Sequence, residues 1–167
     1  MTPWLWLKLV HVLAGTFWLG GVAVAALYLA SAARALGPAA GPVMKHVISV
    51  RRLPVALNIV AILNTLTGFA FYDRLSDHFR HPLVTTFSGM ALTVGSVSGV
   101  IGFLWGAIVQ GPTAAKLGAM TSRLTGPPTP EQAAEIGRLQ NRLYANGLIG
   151  SAWLVLALVG MALSHPI

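Results

Sequence analysis

Residues 85–110 read TTFSGMALTVGSVSGVIGFLWGAIVQ, an apolar run without a charged side chain. A bilayer core about 30 Å thick needs roughly 20 residues at the helical rise of about 1.5 Å each, so this stretch is long enough to cross. Backbone groups in lipid must be satisfied within their own segment, and the run lacks the short alternation of a barrel strand. It predicts a membrane-spanning helix. Three further stretches, 5–30, 53–72 and 145–164, have the same character. The whole chain of 167 residues is 55% hydrophobic and 9% charged, with a mean hydropathy of +0.71, far too apolar for a soluble domain of this length. The expected fold is all-α, an integral membrane four-helix bundle forming one transmembrane domain over residues 1–167.

The first span, at 5–30, is too long for a secretory h-region and has no basic cluster ahead of it, so it is expected to stay as a helix rather than be cleaved. The chain contains no cysteine, which excludes disulfides, thiolate ligands and iron–sulfur clusters.

A net charge of +7 would suggest nucleic acid in a soluble protein, but here the basic residues sit in the loops. The first loop holds Arg34, Lys45, Arg51 and Arg52 without an acid; the third holds Lys116, Arg123, Arg138 and Arg142 against Glu131 and Glu135. In the second loop Arg74 and Arg80 are balanced by Asp73 and Asp77. The positive-inside rule then places loops one and three in the cytoplasm and both termini outside. Anionic membrane lipids are the expected partners of the basic surplus, with no role for nucleic acid.

The third loop has helical signals of its own. Residues 112–124, PTAAKLGAMTSRL, prolong the third span past Gly111-Pro112, where a kink is allowed. Thr129-Pro130-Glu131-Gln132 then carries a helix start: Thr129 as N-cap, Pro130 at the first helical position and Gln132 closing a capping box. Glu135 is one turn from Arg138. A cytoplasmic helical hairpin between helices three and four is the result.

Helical spacing aligns Trp4, Lys8, His11, Gly15, Trp18 and Val22 on the first span, and Gly95, Gly99, Gly102 and Gly106 on the third. Small residues let backbones approach, which serves helix packing inside the bundle or across a homo-oligomer, and the same space would suit a flat cofactor. Asn58 and Asn64 are costly in lipid and should point inward as hydrogen-bonding links between helices.

His11 is the one ionisable group well inside a span, since Lys8 can snorkel. Topology puts His78, His81 and His165 on the same side and His46 on the opposite one. Such histidines could supply axial ligands for haem b, or nitrogen ligands for copper or zinc, although their spacing forms no metal motif.

Lys8-x-x-His11, followed by Trp18 and Gly21, resembles the first helix of the CopD/HemJ-like small polytopic membrane proteins. Thr67-Gly68, the glycine-rich third span and Gly111-Pro112-Thr113-Ala114-Ala115 are similar to a four-span branch of that group. The resemblance implies a bacterial inner (plasma) membrane protein whose helix-one histidine is associated with haem. Span three has no charged residue and span one ends Leu27-Tyr28-Leu29-Ala30, so the oxidase chemistry of the HemJ branch does not carry over; the scattered methionines do not carry copper import.

The expected function is haem b binding for electron transfer or porphyrin handling. His11 would be an axial ligand, His165, His78 or His81 the candidate second metal ligands, and Gly15, Trp18, Gly95 and Gly99 the cofactor's bed. Copper is the less favoured metal. The alternative is an accessory or self-associating membrane subunit without a cofactor, packing through its glycines. With no intramembrane carboxylate, activated nucleophile or nucleotide loop, any catalysis belongs to a bound cofactor.

Overall fold

The structure, a computed structural model, describes residues 2–80 and 83–164 and is all-helical within them. Four helices are long and apolar enough to cross a membrane, in agreement with the four expected spans. They form a bundle, with the ends of its helices set by local chemistry.

Helix α1 (Pro3–Val24) passes through a wide π turn (Ala25–Ala30) into α2 (Ser31–Leu36), and Gly37, at φ +56, ends it with a conformation open to glycine. A 3₁₀ turn (Gly37–Ala40), α3 (Gly41–Lys45) and a second π turn (His46–Val50) follow. Arg52, left-handed at φ 51, redirects the chain into α4 (Leu53–Leu75). The Thr86 hydroxyl accepts from the Gly89 amide and caps α5 (Phe87–Trp105). Helix α5 runs through a third π turn (Gly106–Gln110) into α6 (Gly111–Arg123). Pro112 has no amide hydrogen to give to the preceding turn, and the wider turn absorbs that gap without stopping the helix. Thr129 and Gln132 form the expected capping box at the start of α7 (Pro130–Leu163).

Two antiparallel pairs make up the bundle. In the first, α1 lies on α4, with Trp4 against Phe71, His11 against Thr67, Gly15 against Asn64, Trp18 near Ala61 and Gly21 against Leu57. In the second, α5 and α7 approach so closely that a Cβ on Gly160 would stand 2.6 Å from both the Ala91 carbonyl oxygen and the Gly95 Cα. A Cβ on Gly95 would in turn stand 2.9 Å from the Ala157 carbonyl oxygen, and one on Gly102 2.9 Å from the Leu154 side chain. The glycine stripe on α5 is thus used largely for packing within the chain. The pairs join where Ala26 meets Gly147, and where the Tyr72 hydroxyl and Thr93 Oγ1 share a hydrogen bond of 2.9 Å between α4 and α5.

Burial runs opposite to that of a soluble bundle. Lipid solvates apolar side chains, so the spans leave Phe17, Leu66, Val97 and Ile108 outward at no cost, and Ala61 is the one buried residue of α4. The larger sealed core is at the lower end, where the chain is polar outside and must hide apolar groups from water. There Ala33, Ala40 and Met44 of the first loop close on Leu117 of α6 and on Ile136, Leu139 and Leu143 of α7. Gln140 donates to the Gly37 carbonyl oxygen at 3.0 Å, and the Arg34 guanidinium lies 5.0 Å from the Tyr144 ring. The first loop, expected as a basic connection, is therefore mostly helical and packed. Glu135 pairs with Arg138, as its spacing predicts, and also with Lys116 of α6 at 2.7 Å, tying α6 to α7.

Gly160→Leu is expected to force α5 and α7 apart at a cost of about 1–3 kcal/mol, seen as a lower thermal midpoint in detergent. Gly137→Ala, in α7 where nothing lies within 4 Å of the added Cβ, should instead be neutral or raise it. In the polar first half of α7, the Arg138 and then the Lys116 side chains hold the Glu135 carboxyl down to about 2 from an ordinary 4.5. A depressed carboxylate stabilises above its unfolded value and loses that contribution as pH falls through its folded one. Amide protection factors at the α6–α7 contact, exchange rates taken relative to the free peptide at the same pH, should therefore fall between pH 4.5 and about 2, and Glu135→Gln should remove that fall.

Candidate functional site

The site is at the upper end of the bundle, where α1 begins and α7 finishes. His11 stands on the α1 face that packs on α4, and the local sequence of α4 is what receives its ring. Nδ1 lies 2.9 Å from Thr67 Oγ1 and 3.1 Å from the Asn64 carbonyl oxygen. The Thr67 hydroxyl donates to the Leu63 carbonyl at 2.7 Å and the Asn64 carbonyl at 3.0 Å, so toward His11 it presents a lone pair. With acceptors on both partners, Nδ1 must carry the proton of the neutral ring. Nε2 is left as a lone-pair nitrogen with no hydrogen bond among the described residues.

Gly68 makes room for the ring: a Cβ there would be 3.2 Å from His11 Cε1. The Thr67-Gly68 pair thus has two separate physical tasks, one to accept the Nδ1 proton and one to leave space for the imidazole. Phe71 meets the ring edge-on at 5.5 Å and Trp4 meets Phe71 at 4.4 Å, with the Arg74 guanidinium 5.5 Å from Trp4. This pile fixes the imidazole from above.

Beside the ring, between the two helix pairs, is a cavity of about 340 Å³ lined by His11, Trp18, Phe69, Ser96, Gly99 and Met161, among others. Phe69 and Val97 line it while 51% and 53% exposed, so it opens sideways between α4 and α5. Tyr72, stacked with Phe79 at 5.9 Å, bounds it above. Trp18, almost fully buried, also lines a second cavity of about 140 Å³ further down, which Gln110 and Asn58 line as well. One indole thus borders both spaces.

Of the residues singled out in the sequence, His11, Trp18 and Gly99 come together at the upper cavity. A Cβ on Gly15 would stand 2.9 Å from Asn64 Oδ1 across the α1–α4 seam, and Gly95 faces α7, so the space beside both glycines is filled by neighbouring protein atoms. His78 is exposed at the second loop and bonds Asp73 Oδ2 at 3.1 Å. His81 and His165 lie outside the described residues. Among the described residues no three histidine, aspartate or glutamate side chains gather as a metal cluster. Asn64 links helices through its backbone carbonyl rather than its amide, whose Oδ1 is buried without a hydrogen-bond partner among the described residues.

Thr67 and Phe71 as neighbours of the His11 ring, and Tyr72, Thr93 and Met161 as walls of the cavity, were not assigned from the sequence. The i, i+3 and i, i+4 spacing of Asn64, Thr67, Gly68 and Phe71 marks one face of α4, which is the signal that could have found the first two. Thr93 and Met161 come from separate helices and have no such signal. Compared with known proteins, the chain matches no family model, no curated protein and no solved structure.

Proposed function

We propose that the protein binds haem b in the upper cavity, with His11 Nε2 as an axial ligand, and serves in electron transfer or porphyrin handling. The observation that carries this reading is the pair of contacts at His11 Nδ1, to the Thr67 hydroxyl and the Asn64 carbonyl, which favours a proton on that nitrogen. An imidazole ligand commonly donates its other ring nitrogen to a carbonyl or similar acceptor, which orients the ring and leaves the ligating nitrogen free. Thr67 and Asn64 supply that arrangement for His11. The cavity volume of about 340 Å³ falls in the range of small-molecule sites, and its aromatic and aliphatic lining suits a flat apolar macrocycle. The open side between α4 and α5 gives such a ring room to extend. When bound, haem would supply one-electron chemistry. The chain's own contribution is to orient His11 with Thr67 and Phe71, wall the cavity with Trp18, and set the polarity around the ring edge through Thr93 and Ser96.

The residues fit an imidazole-ligated planar cofactor better than copper, since among the described residues no second histidine lines the cavity with His11. The accessory-subunit alternative relies on glycines free for a second chain, and Gly95 and Gly102 already meet α7. The CopD/HemJ resemblance adds to the haem reading. The surplus of basic residues in the first and third loops supports a lower end facing the cytoplasm, hairpin included, with both termini outside in a bacterial inner membrane.

Protein purified from haem-replete cells should show a Soret band that His11→Ala abolishes. No band in the wild type, or an unchanged one in the variant, sinks the reading. Thr67→Val removes the acceptor for Nδ1 and should lower haem affinity by about 10- to 100-fold, measured by titration of the apoprotein.

A further inference from the structure

A groove of about 640 Å³ opens at the lower end between the start of α4 and α6, well away from the upper cavity. Its wall changes character along its length. Arg52 and Ser49 precede α4; Pro54 and Val55 lie in its first turn; and Asn58 is about 7.5 Å along the helix axis from Leu53, at the helical rise of about 1.5 Å per residue, with Ala107 contributed by the turn before α6. A cation and a hydroxyl at one end of the groove with apolar residues further along α4 suit an amphiphile with an anionic head and an apolar tail, as in an anionic glycerophospholipid.

Charge balance supplies the second argument. Of the four carboxylates, Asp73 pairs with His78 and Asp77 with Arg80 at the opposite end, Glu135 pairs with Lys116 and Arg138, and Glu131 is near Thr129 at the head of α7. Among the described residues no acid forms an ion pair with Lys45, Arg51, Arg52 or Arg123, so the lower end keeps a basic surplus over Glu131 and Glu135. Ser49 makes no hydrogen bond from its hydroxyl to a described residue, whereas Ser122, also on the groove, already donates to the Ala119 carbonyl at 3.1 Å. Of the two serines, Ser49 is the free donor beside Arg52. Basic pockets between spanning helices at the cytoplasmic surface are a known way to hold anionic lipid headgroups.

We propose that this groove is a binding site for one anionic phospholipid, with its phosphate on the Arg52 guanidinium and the Ser49 hydroxyl and an acyl chain along Pro54, Val55 and Ala107. The site is independent of what occupies the upper cavity.

The test uses the full chain purified in mild detergent from membranes containing phosphatidylglycerol, with retained lipid quantified per protein and thermal midpoints measured after adding lipid. The wild type should retain about one anionic lipid, and added phosphatidylglycerol should raise the midpoint where phosphatidylcholine does not. Arg52→Gln should lower retention about fivefold, the factor equivalent to the ~1 kcal/mol that one basic residue contributes at an anionic surface. Ala115→Trp, which fills the groove from α6 and leaves every charge in place, should lower it too; this second variant keeps the test decisive if Arg52→Gln folds poorly. Arg34→Gln, at the Tyr144 ring away from the groove, should leave retention unchanged. Inorganic phosphate raising the midpoint as much as phosphatidylglycerol would identify a free-anion site and overturn the proposal. So would equal losses for Arg34→Gln and Arg52→Gln, or full retention by Ala115→Trp, because either would mean that general surface charge holds the lipid.

Discussion

The close crossing of α5 and α7 is the constraint on which the rest of the bundle depends. Gly95 and Gly160 bring the two backbones into direct contact, in a medium where apolar side chains gain little from leaving lipid for protein. Dispersion between closely packed surfaces then provides the attraction, and it requires the absence of a Cβ on both sides. The α1–α4 pair is built differently, with larger side chains set against small ones: Leu57 over Gly21, Asn64 over Gly15 and His11 over Gly68. Two tight pairs joined more loosely leave space between them, which the upper and lower cavities occupy on either side of Trp18.

The lower end follows other rules because water returns there. Its core of alanines, leucines, Met44 and Ile136 is sealed on all sides, and one polar link, from Gln140 to the Gly37 carbonyl, fixes how the first loop seats. The three π turns occur where helices continue beyond a span or lead up to the next one: Ala25–Ala30, His46–Val50 and Gly106–Gln110. The third precedes Pro112, which gives it a clear physical cause. The continuous α5–α6 helix carries the tight packing of the span down to the Lys116–Glu135 pair.

An imidazole in lipid is expensive unless its polar atoms have partners or a use. Thr67 and Asn64 answer for Nδ1, and Thr67 can do so because its own proton is committed to the helix backbone behind it. The ring borders the upper cavity between the helix pairs. This is why the proposed haem site follows from hydrogen bonds within α4 more than from the histidine itself.

Much of the architecture was legible in the sequence. Span length and charge-free composition determined four helices, since the bilayer permits little else for such runs, and Thr129 with Gln132 determined where α7 starts through a purely local pair of hydrogen bonds. His11 stood out because ionisable groups in spans are costly. Other features were decided only by tertiary structure. Asn64 and Thr67 became partners of His11, Gly95 was taken by α7 while Gly99 reached the cavity, and the basic first loop folded into helices under the bundle. Each of these depends on which face of one helix meets which face of another. Composition and periodicity act along a single segment, whereas that pairing is set by the fit of small against large residues between segments distant in the chain.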